Sequence, residues 1–309
     1  MDLSIIIVNY NTKELLKKCL FSIVTKQQGN KVTKQQSSNI TMEIIIVDNG
    51  SEEKIKNQIS KLKIKYQNSK IKLIENKENL GFSKANNQAI QQAQGEYILL
   101  LNPDTIVPRD TLPLMIKFME KNKDIGIATC RVELPSGELD DACHRGLPTP
   151  WNAFCYFSGL AKIFPKSKFF NGYHLGYQEM DKIHEIDACV GAFMLIRRQA
   201  GEEVGWFDED YFWYGEDLDF CFRIKKVSWK VMFIPQVKIT HYKGAASGIK
   251  NQSKLITTAS EKTQKMAQKA RFEAMKIFYE KHYRNKYPVW VKWLVMRGIR
   301  LVQLATFSF

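Results

Sequence analysis

The sequence lacks the features that mark several large classes of protein. Its six cysteines are scattered, with no C-x-x-C pair and no spacing typical of a zinc site. No charge-free apolar run reaches the ~18–20 residues of a membrane-spanning helix. No basic segment with an apolar leader core opens the chain, because Met1 runs directly into a strand-like segment. We therefore expect a cytoplasmic protein with reduced, buried thiols that does not cross a membrane.

The composition is that of a globular protein, with an uneven distribution of charge. The chain has 309 residues, of which 44% are hydrophobic and 25% are charged, so a largely disordered chain and a collagen-like fibre are excluded. Residues 221–309 carry 19 Lys and Arg against 3 Glu, whereas residues 1–220 are close to neutral. This asymmetry predicts that the C-terminal part meets phosphates, nucleic acid or an anionic membrane.

Short unbroken apolar runs alternate with segments of helical periodicity. The runs at 3–8, 43–47 and 97–101 consist almost wholly of Ile, Leu and Val. Strands that are buried on both faces have this composition, which is typical of a parallel sheet covered by crossover helices. We therefore predict an α/β fold with a mostly parallel sheet flanked by helices. Further strands are predicted at 71–74, 193–196 and 231–234.

Helices are predicted where apolar residues recur at helical spacing. These segments are 11–24, a stretch ending near residue 62, 83–93, a helix opening near Glu216, and 258–283. The polar stretch 27–42 predicts a long surface loop.

Three of the predicted strands end in polar clusters, at 9–12, 48–51 and 102–104. In an open parallel sheet, ligands bind outside the carboxyl ends of the strands. Asn, Asp, Gly and Pro also terminate strands, so each cluster taken alone is explained better by turn chemistry. Three clusters on one edge together predict a nucleotide site.

A series of motifs then carries a resemblance to a known family. In chain order they are SIIIVNYNT, EIIIVDNGS, NLGFSKANNQAI, YILLLNPDTIV, CVGAFMLIRR, FWYGEDLDFCFR and ITHYKGAAS. In order and approximate spacing they resemble family 2 glycosyltransferases of the GT-A fold, in particular the rhamnosyltransferase-like branch. The resemblance implies a nucleotide-diphosphate-sugar donor, dTDP- or UDP-linked, and transfer with inversion at the anomeric carbon.

The resemblance also implies which residues hold the nucleoside of the donor. Asn9 and Tyr10 would lie by the base, and Asp48, followed by Asn49, would accept hydrogen bonds from the base or ribose. A carboxylate suits this role because it accepts two such bonds with fixed geometry.

A glycine-containing turn opens the helix that would face the diphosphate. Gly81 permits close approach of the backbone, and the helix N-terminus that follows favours an anion. Phe82, Lys84 and Asn86 lie on the turn and the first turns of this helix and are assigned to donor binding. The alternative is an ordinary helix start.

The motif Asn102-Pro103-Asp104 occupies the place of the family's DxD motif. Mg²⁺ or Mn²⁺ bound there would neutralise the departing nucleoside diphosphate. Because Asn102 is neutral, Asp104 is the only strong ligand of this motif. His241 resembles the late histidine of the family that completes the metal or diphosphate site, although a lone histidine after a strand is commonly structural.

The pair Glu216-Asp217 matches the family's ED motif and opens a predicted helix. By the resemblance, Asp217 is the general base that takes the proton of the acceptor hydroxyl, and Glu216 supports it or holds that role itself. Acidic residues at a helix N-terminus are also favoured by the helix dipole alone.

The chain is divided into a catalytic domain at 1–248 and a basic helical extension at 249–309. The segment 258–283 is predicted to pack on the catalytic domain with a solvated basic face. In the tail, 287–309, Trp and aliphatic residues oppose Lys and Arg, which favours an interfacial membrane helix. We expect a peripheral protein on the anionic inner face of the membrane; the alternative is that the tail packs on protein. No nucleic-acid-binding motif is present, so nucleic acid is not an expected partner.

The resulting hypothesis is a metal-dependent, inverting hexosyltransferase of cell-surface polysaccharide synthesis. It would move a sugar such as rhamnose to a hydroxyl of a glycan or lipid-linked saccharide. One alternative is a sugar-nucleotide nucleotidyltransferase, but the stretch NYNTKELL after the first strand is not the Gly-rich, basic loop that it needs. A second is a catalytically idle membrane-binding module, against which the intact acidic set argues.

Overall fold

The computed structural model describes residues 1–24, 40–52, 55, 59, 70–249 and 257–307. The predicted loop at 27–42 and the predicted helix ending near residue 62 lie almost wholly outside the described residues. All six cysteines are free and buried, which confirms the prediction of buried thiols.

Strands and helices alternate through most of the chain. The strands are β1 (Leu3–Asn9), β2 (Met42–Asn49), β3 (Lys70–Asn76), β4 (Tyr97–Leu101), β5 (Thr105–Ile106), β6 (Ile125–Glu133), β7 (His184–Glu185), β8 (Phe193–Arg197) and β9 (Lys230–His241). The helices are α1 (Lys13–Val24), α2 (Phe82–Ile90), α3 (Thr111–Lys121), α4 (Pro150–Phe157), α5 (Leu160–Ile163), α6 (Arg198–Val204), α7 (Glu216–Lys226), α8 (Glu261–His282) and α9 (Val289–Phe307). A 3₁₀ turn covers Asp141–Cys143.

The strands form one sheet in the order β3-β2-β1-β4-β8-β6-β9-β5, with β7 paired to β9. The first four strands of this order are parallel, as their unbroken apolar sequences predict. Strand β8 then runs antiparallel to both β4 and β6, and β6 pairs in parallel with β9. The predicted α/β sheet is confirmed. The three polar clusters for which a nucleotide site was predicted lie at the carboxyl ends of its parallel strands β1, β2 and β4.

The core lies on both faces of the parallel strands. All residues of β1 are buried, and Leu16 and Leu20 of α1 are fully buried against the sheet. Removing each such side chain from water contributes about 1.5–3 kcal/mol. This burial holds the carboxyl ends of β1, β2 and β4 at a common edge.

Two strand registers position the polar groups at that edge. In the parallel β1–β2 pair, Asn9 lies opposite Asp48. In the antiparallel β5–β9 pair, Thr105 lies opposite His241, so Asp104 and His241 come to lie side by side.

The C-terminal helices dock on α7. Ala274, Phe278 and Tyr279 of α8 are buried in a cluster with Tyr211 and Tyr283, which confirms that this helix packs on the catalytic domain.

The buried carboxylate of Asp219 also joins α7 to α8. Asp219 accepts hydrogen bonds from Arg223 and His282, at 2.7 Å each, and so ties α7 to α8. Within the described ranges, no helix combines the length and apolar character needed to span a membrane.

Candidate active site

A cavity of about 480 Å³ lies at the carboxyl edge of the parallel strands. Its sheet side is formed by residues that follow β1, β2 and β4, and by the end of β9. Its helical side is formed by α4, the start of α7, and helices α8 and α9. Of the predicted site residues, this cavity brings together Tyr10, Asn49, Phe82, Asn102, Asp104, Glu216, Asp217 and His241.

Asn9 and Asp48 lie behind the cavity wall and are fully buried. The Asn9 side-chain amide donates to Ser51 Oγ at 3.1 Å and to Asp48 Oδ1 at 3.4 Å, and its oxygen accepts from Thr12. Asp48 Oδ2 is buried and has no hydrogen-bond partner among the described residues. The side chain of Asn9 therefore stabilises the strand ends through hydrogen bonds, whereas Asp48 retains one oxygen that accepts no hydrogen bond from a described residue.

Asn49 reaches the cavity, but its side chain is engaged within the protein. Its Nδ2 donates to Asn79 Oδ1 at 2.9 Å and to the Gly81 carbonyl at 3.2 Å. Its Oδ1 accepts from Asn76 and from the Leu80 N–H. These bonds use the full capacity of the amide. Asn49 thus shapes the loop that precedes α2.

Gly81 allows that loop to pack against Phe212, in the stretch that precedes α7. It has φ 87°, and a Cβ there would lie 2.7 Å from the Phe212 carbonyl oxygen. The Phe82 N–H donates to the same oxygen at 2.8 Å. Neither Gly81, Lys84 nor Asn86 lines the cavity: Lys84 is exposed, and the Asn86 amide donates to the Phe82 carbonyl. Their assignment to donor binding stays a prediction.

Acidic and basic side chains alternate in a row that begins at Asp104 of the Asn102-Pro103-Asp104 turn. His241 Nε2 is 3.2 Å from Asp104 Oδ1, and His241 Nδ1 is 2.9 Å from Asp140 Oδ2. Lys243 Nζ lies 2.5 Å from the other Asp140 oxygen. Burial alone would lower the pKa of His241, but the carboxylates of Asp104 and Asp140 raise it to about 9. His241 and Lys243 in turn hold the pKa of Asp140 well below its usual range, against the effect of burial.

Asp104 and His241 fit a Mg²⁺ or Mn²⁺ site that is completed by phosphate oxygens of a ligand. The described part of the chain holds no group of three or more His, Cys, Asp or Glu that would bind a metal ion by itself. Magnesium is commonly bound by one or two protein ligands together with substrate phosphates. Binding at Nε2 requires His241 to release its proton, and the Asp140 bond to Nδ1 would then orient the ring.

The ED motif lines the same cavity, where α7 begins. Asp217 Oδ2 accepts from Arg145 Nη2 at 2.7 Å, and both side chains are about nine-tenths buried. Burial raises the pKa of Glu216 to about 8, and the Asp217 carboxylate adds to the rise. Glu216 Oε2 has no partner among the described residues. The raised pKa favours the protonated form of Glu216 at neutral pH, whereas Asp217 is paired with Arg145.

Asp140 and Arg145 were not among the residues predicted from the sequence. Both belong to the segment 134–187, where hydrophobic periodicity fades. Asp140 caps the 3₁₀ turn, accepting from the Ala142 N–H. Arg145 is placed by an isolated bridge to Ala188. Only the tertiary pairing brings them to His241 and Asp217, and no local pattern signals it.

The C-terminal extension contributes directly to the cavity. Arg271, Met275 and Phe278 of α8 and Val295 and Ile299 of α9 line it. The boundary predicted at residue 248 therefore separates two segments of sequence that share one site.

Residues 4–205 match the sequence profile of the family described as Glycosyl transferase family 2. Among curated proteins, the chain is 28% identical over 228 residues to the rhamnosyltransferase WbbL of Escherichia coli K12, covering 64% of this chain and 82% of that protein. It is 24% identical over 216 residues to the N-acetylglucosaminyl-diphospho-decaprenol L-rhamnosyltransferase of Mycobacterium tuberculosis, covering 66% of this chain and 68% of that one.

Solved structures with a similar fold include the following two. The TarS 1–349 fragment of S. aureus aligns with a TM-score of 0.52 at 16% identity, covering 92% of this chain and 73% of that chain. The mannosyltransferase PcManGT of Pyrobaculum calidifontis, solved with GDP-Man and Mn²⁺, aligns with a TM-score of 0.53 at 14% identity, covering 97% and 79%. At these identities the likeness shows the fold alone.

Proposed function

This chain belongs to glycosyl transferase family 2, and from that premise we propose that it transfers a sugar from a dTDP- or UDP-linked donor to a hydroxyl of a glycan or lipid-linked saccharide, with inversion. Rhamnose is the proposed sugar, because two of its relatives are named rhamnosyltransferases. The observation that carries the proposal is that Asp217 and the Asp104–His241 pair face one cavity. A base and a diphosphate site that share one cavity suit a direct displacement.

In this mechanism Asp217 accepts the proton of the acceptor hydroxyl as that oxygen attacks the anomeric carbon. The bond from the acceptor oxygen to carbon forms while the bond from carbon to the phosphate oxygen breaks. The nucleoside diphosphate leaves with the bonding electrons. Arg145 fixes the orientation of Asp217, and the protonated Glu216 adds no second negative charge beside it.

The donor would be held by the sheet side of the cavity. Asp48, whose Oδ2 has no partner among the described residues, is the acceptor proposed for the base or ribose; it lies behind the wall that Tyr10 helps to line. Asp104 and His241 would hold Mg²⁺ or Mn²⁺, whose chemical contribution is to neutralise the departing diphosphate. A structural neighbour solved with GDP-Man and Mn²⁺ supports this cofactor class.

We also propose a peripheral position on the inner, cytoplasmic face of the membrane. Val289, Trp290 and Trp293 of α9 are 84%, 65% and 58% exposed, beside Lys292 and Arg297. Exposed Trp next to basic residues favours the interface of an anionic bilayer.

A second exposed apolar surface supports the membrane proposal. This surface is formed by residues 150–170, called here the aromatic segment. The segment includes helix α4, which lines the cavity. Its exposed large apolar side chains are Trp151, Phe154, Tyr156, Phe157, Ile163, Phe164 and Phe169. Lys162, Lys166 and Lys168 are interspersed among them. Apolar contact combined with positive charge is the pattern expected of a surface that meets anionic lipid.

Thermal-shift measurements test the donor class directly. A ligand that binds only the folded state raises the midpoint of unfolding. We expect dTDP- or UDP-sugars to raise it, and Mn²⁺ to increase the rise. Absence of any rise with dTDP-, UDP- and GDP-sugars, with or without Mn²⁺, would contradict the proposed donor.

A further inference from the structure

Among the described residues, four cationic side chains line the cavity, and carboxylates neutralise three of them. Arg145 pairs with Asp217. Lys243 pairs with Asp140, and His241 lies between Asp104 and Asp140. These contacts leave little net charge on the sheet side and at the ED motif.

Arg271, in the third turn of α8, is the exception. It is half-buried on the cavity wall, and it forms no hydrogen bond or ion pair with any described residue. It lies close enough to Tyr214 to affect that phenol: burial raises the pKa of Tyr214 to about 12, and the charge of Arg271 opposes the rise. Arg271 therefore projects an unneutralised charge beside the residues that precede the ED motif.

Two further polar groups on the same wall have no partner. The hydroxyls of Tyr279 and Tyr283 are buried without a hydrogen bond among the described residues, and both side chains line the cavity. Buried polar groups without partners are costly, so several on one wall point to a ligand that completes them. The planar guanidinium of arginine matches the oxygens of a phosphate group better than a lysine does.

We propose that Arg271 is a phosphate-binding side chain of this cavity and that its guanidinium binds a diphosphate of the transfer reaction. The inference rests on the proposed function for the identity of its ligand. A diphosphate is carried by the nucleotide-sugar donor and also by a lipid-diphosphate-linked acceptor. Residue 271 lies beyond the segment 4–205 that matches the family, so the site belongs to this chain's own C-terminal helix.

The test compares Arg271→Gln and Arg271→Lys with Lys265→Gln. Lys265 is exposed on the same helix, and its replacement removes the same charge. The first measurement is calorimetric binding of inorganic pyrophosphate in the presence of Mn²⁺. We expect Arg271→Gln to weaken binding about 10- to 100-fold, Arg271→Lys to weaken it less, and Lys265→Gln to leave it unchanged. Equal pyrophosphate affinity in the wild type and Arg271→Gln would overturn the proposal.

Two further arms identify the source of the diphosphate. If the donor supplies it, Arg271→Gln weakens binding of dTDP or UDP but not of thymidine or uridine. If the acceptor supplies it, nucleotide affinity stays constant, and the KM rises for a lipid-diphosphate saccharide but not for the phosphate-free saccharide.

The same measurements separate this proposal from the proposed function. A wild type that binds pyrophosphate through Arg271 but turns over no nucleotide sugar contradicts the function and supports the site. Unchanged KM values and nucleotide affinity in Arg271→Gln, with normal transfer, overturn the site and leave the function standing.

Discussion

On the sheet side of the cavity, most polar side chains are bonded to one another, with Asp48 Oδ2 as an exception, whereas the wall formed by α8 and α9 presents apolar residues and polar groups without partners. Asn49 uses all its hydrogen-bonding capacity, and His241 is bonded on both ring nitrogens. On α8 and the residue that follows it, Arg271 and the hydroxyls of Tyr279 and Tyr283 have no partner among the described residues.

The difference matches what each side would bind under the proposed function. A nucleotide diphosphate has a fixed shape, and preorganised dipoles bind its developing charge without reorganisation. A lipid-linked acceptor is long and flexible, and an apolar wall with a few polar groups accommodates it. Substitutions on either side of the cavity test this division.

The base is tested by Asp217→Asn, which keeps the shape of the side chain but removes the proton acceptor. We expect turnover to fall by about 10²–10⁴ while donor affinity changes little, since the sheet side is untouched. Glu216→Gln is the matched control, because Glu216 is already protonated at neutral pH, and it should lose much less activity. Steady-state rates that reverse this order would assign the base to Glu216.

The metal site is tested by replacing the acid that holds His241. Asp140→Asn should weaken Mn²⁺-dependent donor binding by about 10- to 100-fold, because His241 loses the carboxylate on Nδ1. Asp104→Ala should abolish the metal dependence, since the strong ligand of the turn is gone. Calorimetry with a dTDP- or UDP-sugar, with and without Mn²⁺, measures both. Full activity of the wild type in excess chelator would refute the metal site.

The membrane contact is tested by Trp290→Ala combined with Trp293→Ala. Each buried Trp adds a salt-insensitive apolar contribution, so liposome binding should fall about tenfold or more. Leu114→Ala is the control, because Leu114 is 49% exposed and does not line the cavity. Co-sedimentation with anionic vesicles checks this; equal binding by the double variant and the wild type would show that α9 does not meet lipid.

The smallest effect concerns stability and pH. Glu216 has a folded-state pKa of about 8, above the ordinary 4.5, so the folded protein binds the extra proton between these values. Stability contributed by this group is therefore lost as the pH rises from about 4.5 to about 8. Glu216→Gln should remove that loss and raise the midpoint of unfolding at pH 8 by a few degrees. If the midpoint of unfolding changed with pH in the same way for both proteins from pH 5 to 9, the raised pKa of Glu216 would be contradicted.

The sheet side was predictable from sequence, whereas on the helical side only the ED motif and the packing of α8 were predicted, for a physical reason. The residues of β1, β2 and β4 are buried on both faces, so their composition alone reveals the strands and the polar edge. Asp104 and His241 follow from motifs at strand ends.

Asp140, Arg145 and Arg271 behave differently, because their functional neighbours are fixed by long-range contacts. The bond of Arg145 to Asp217 spans 72 residues, and that of Asp140 to His241 spans 101. Periodicity also predicted α8 as a packed helix, but not that one of its arginines faces the cavity. Hydrophobic patterning shows which face of a helix is buried and not what that face meets.

Under the proposed function, one cavity holds both a nucleotide-diphosphate sugar and the base Asp217. The most direct test is mass spectrometry of a reaction containing dTDP-rhamnose, Mn²⁺ and a lipid-diphosphate saccharide, run with the wild type and with Asp217→Asn. We predict that the wild type adds one sugar to the acceptor for each dTDP released, and that the variant does neither at a comparable rate. Transfer by Asp217→Asn at the rate of the wild type would contradict the account.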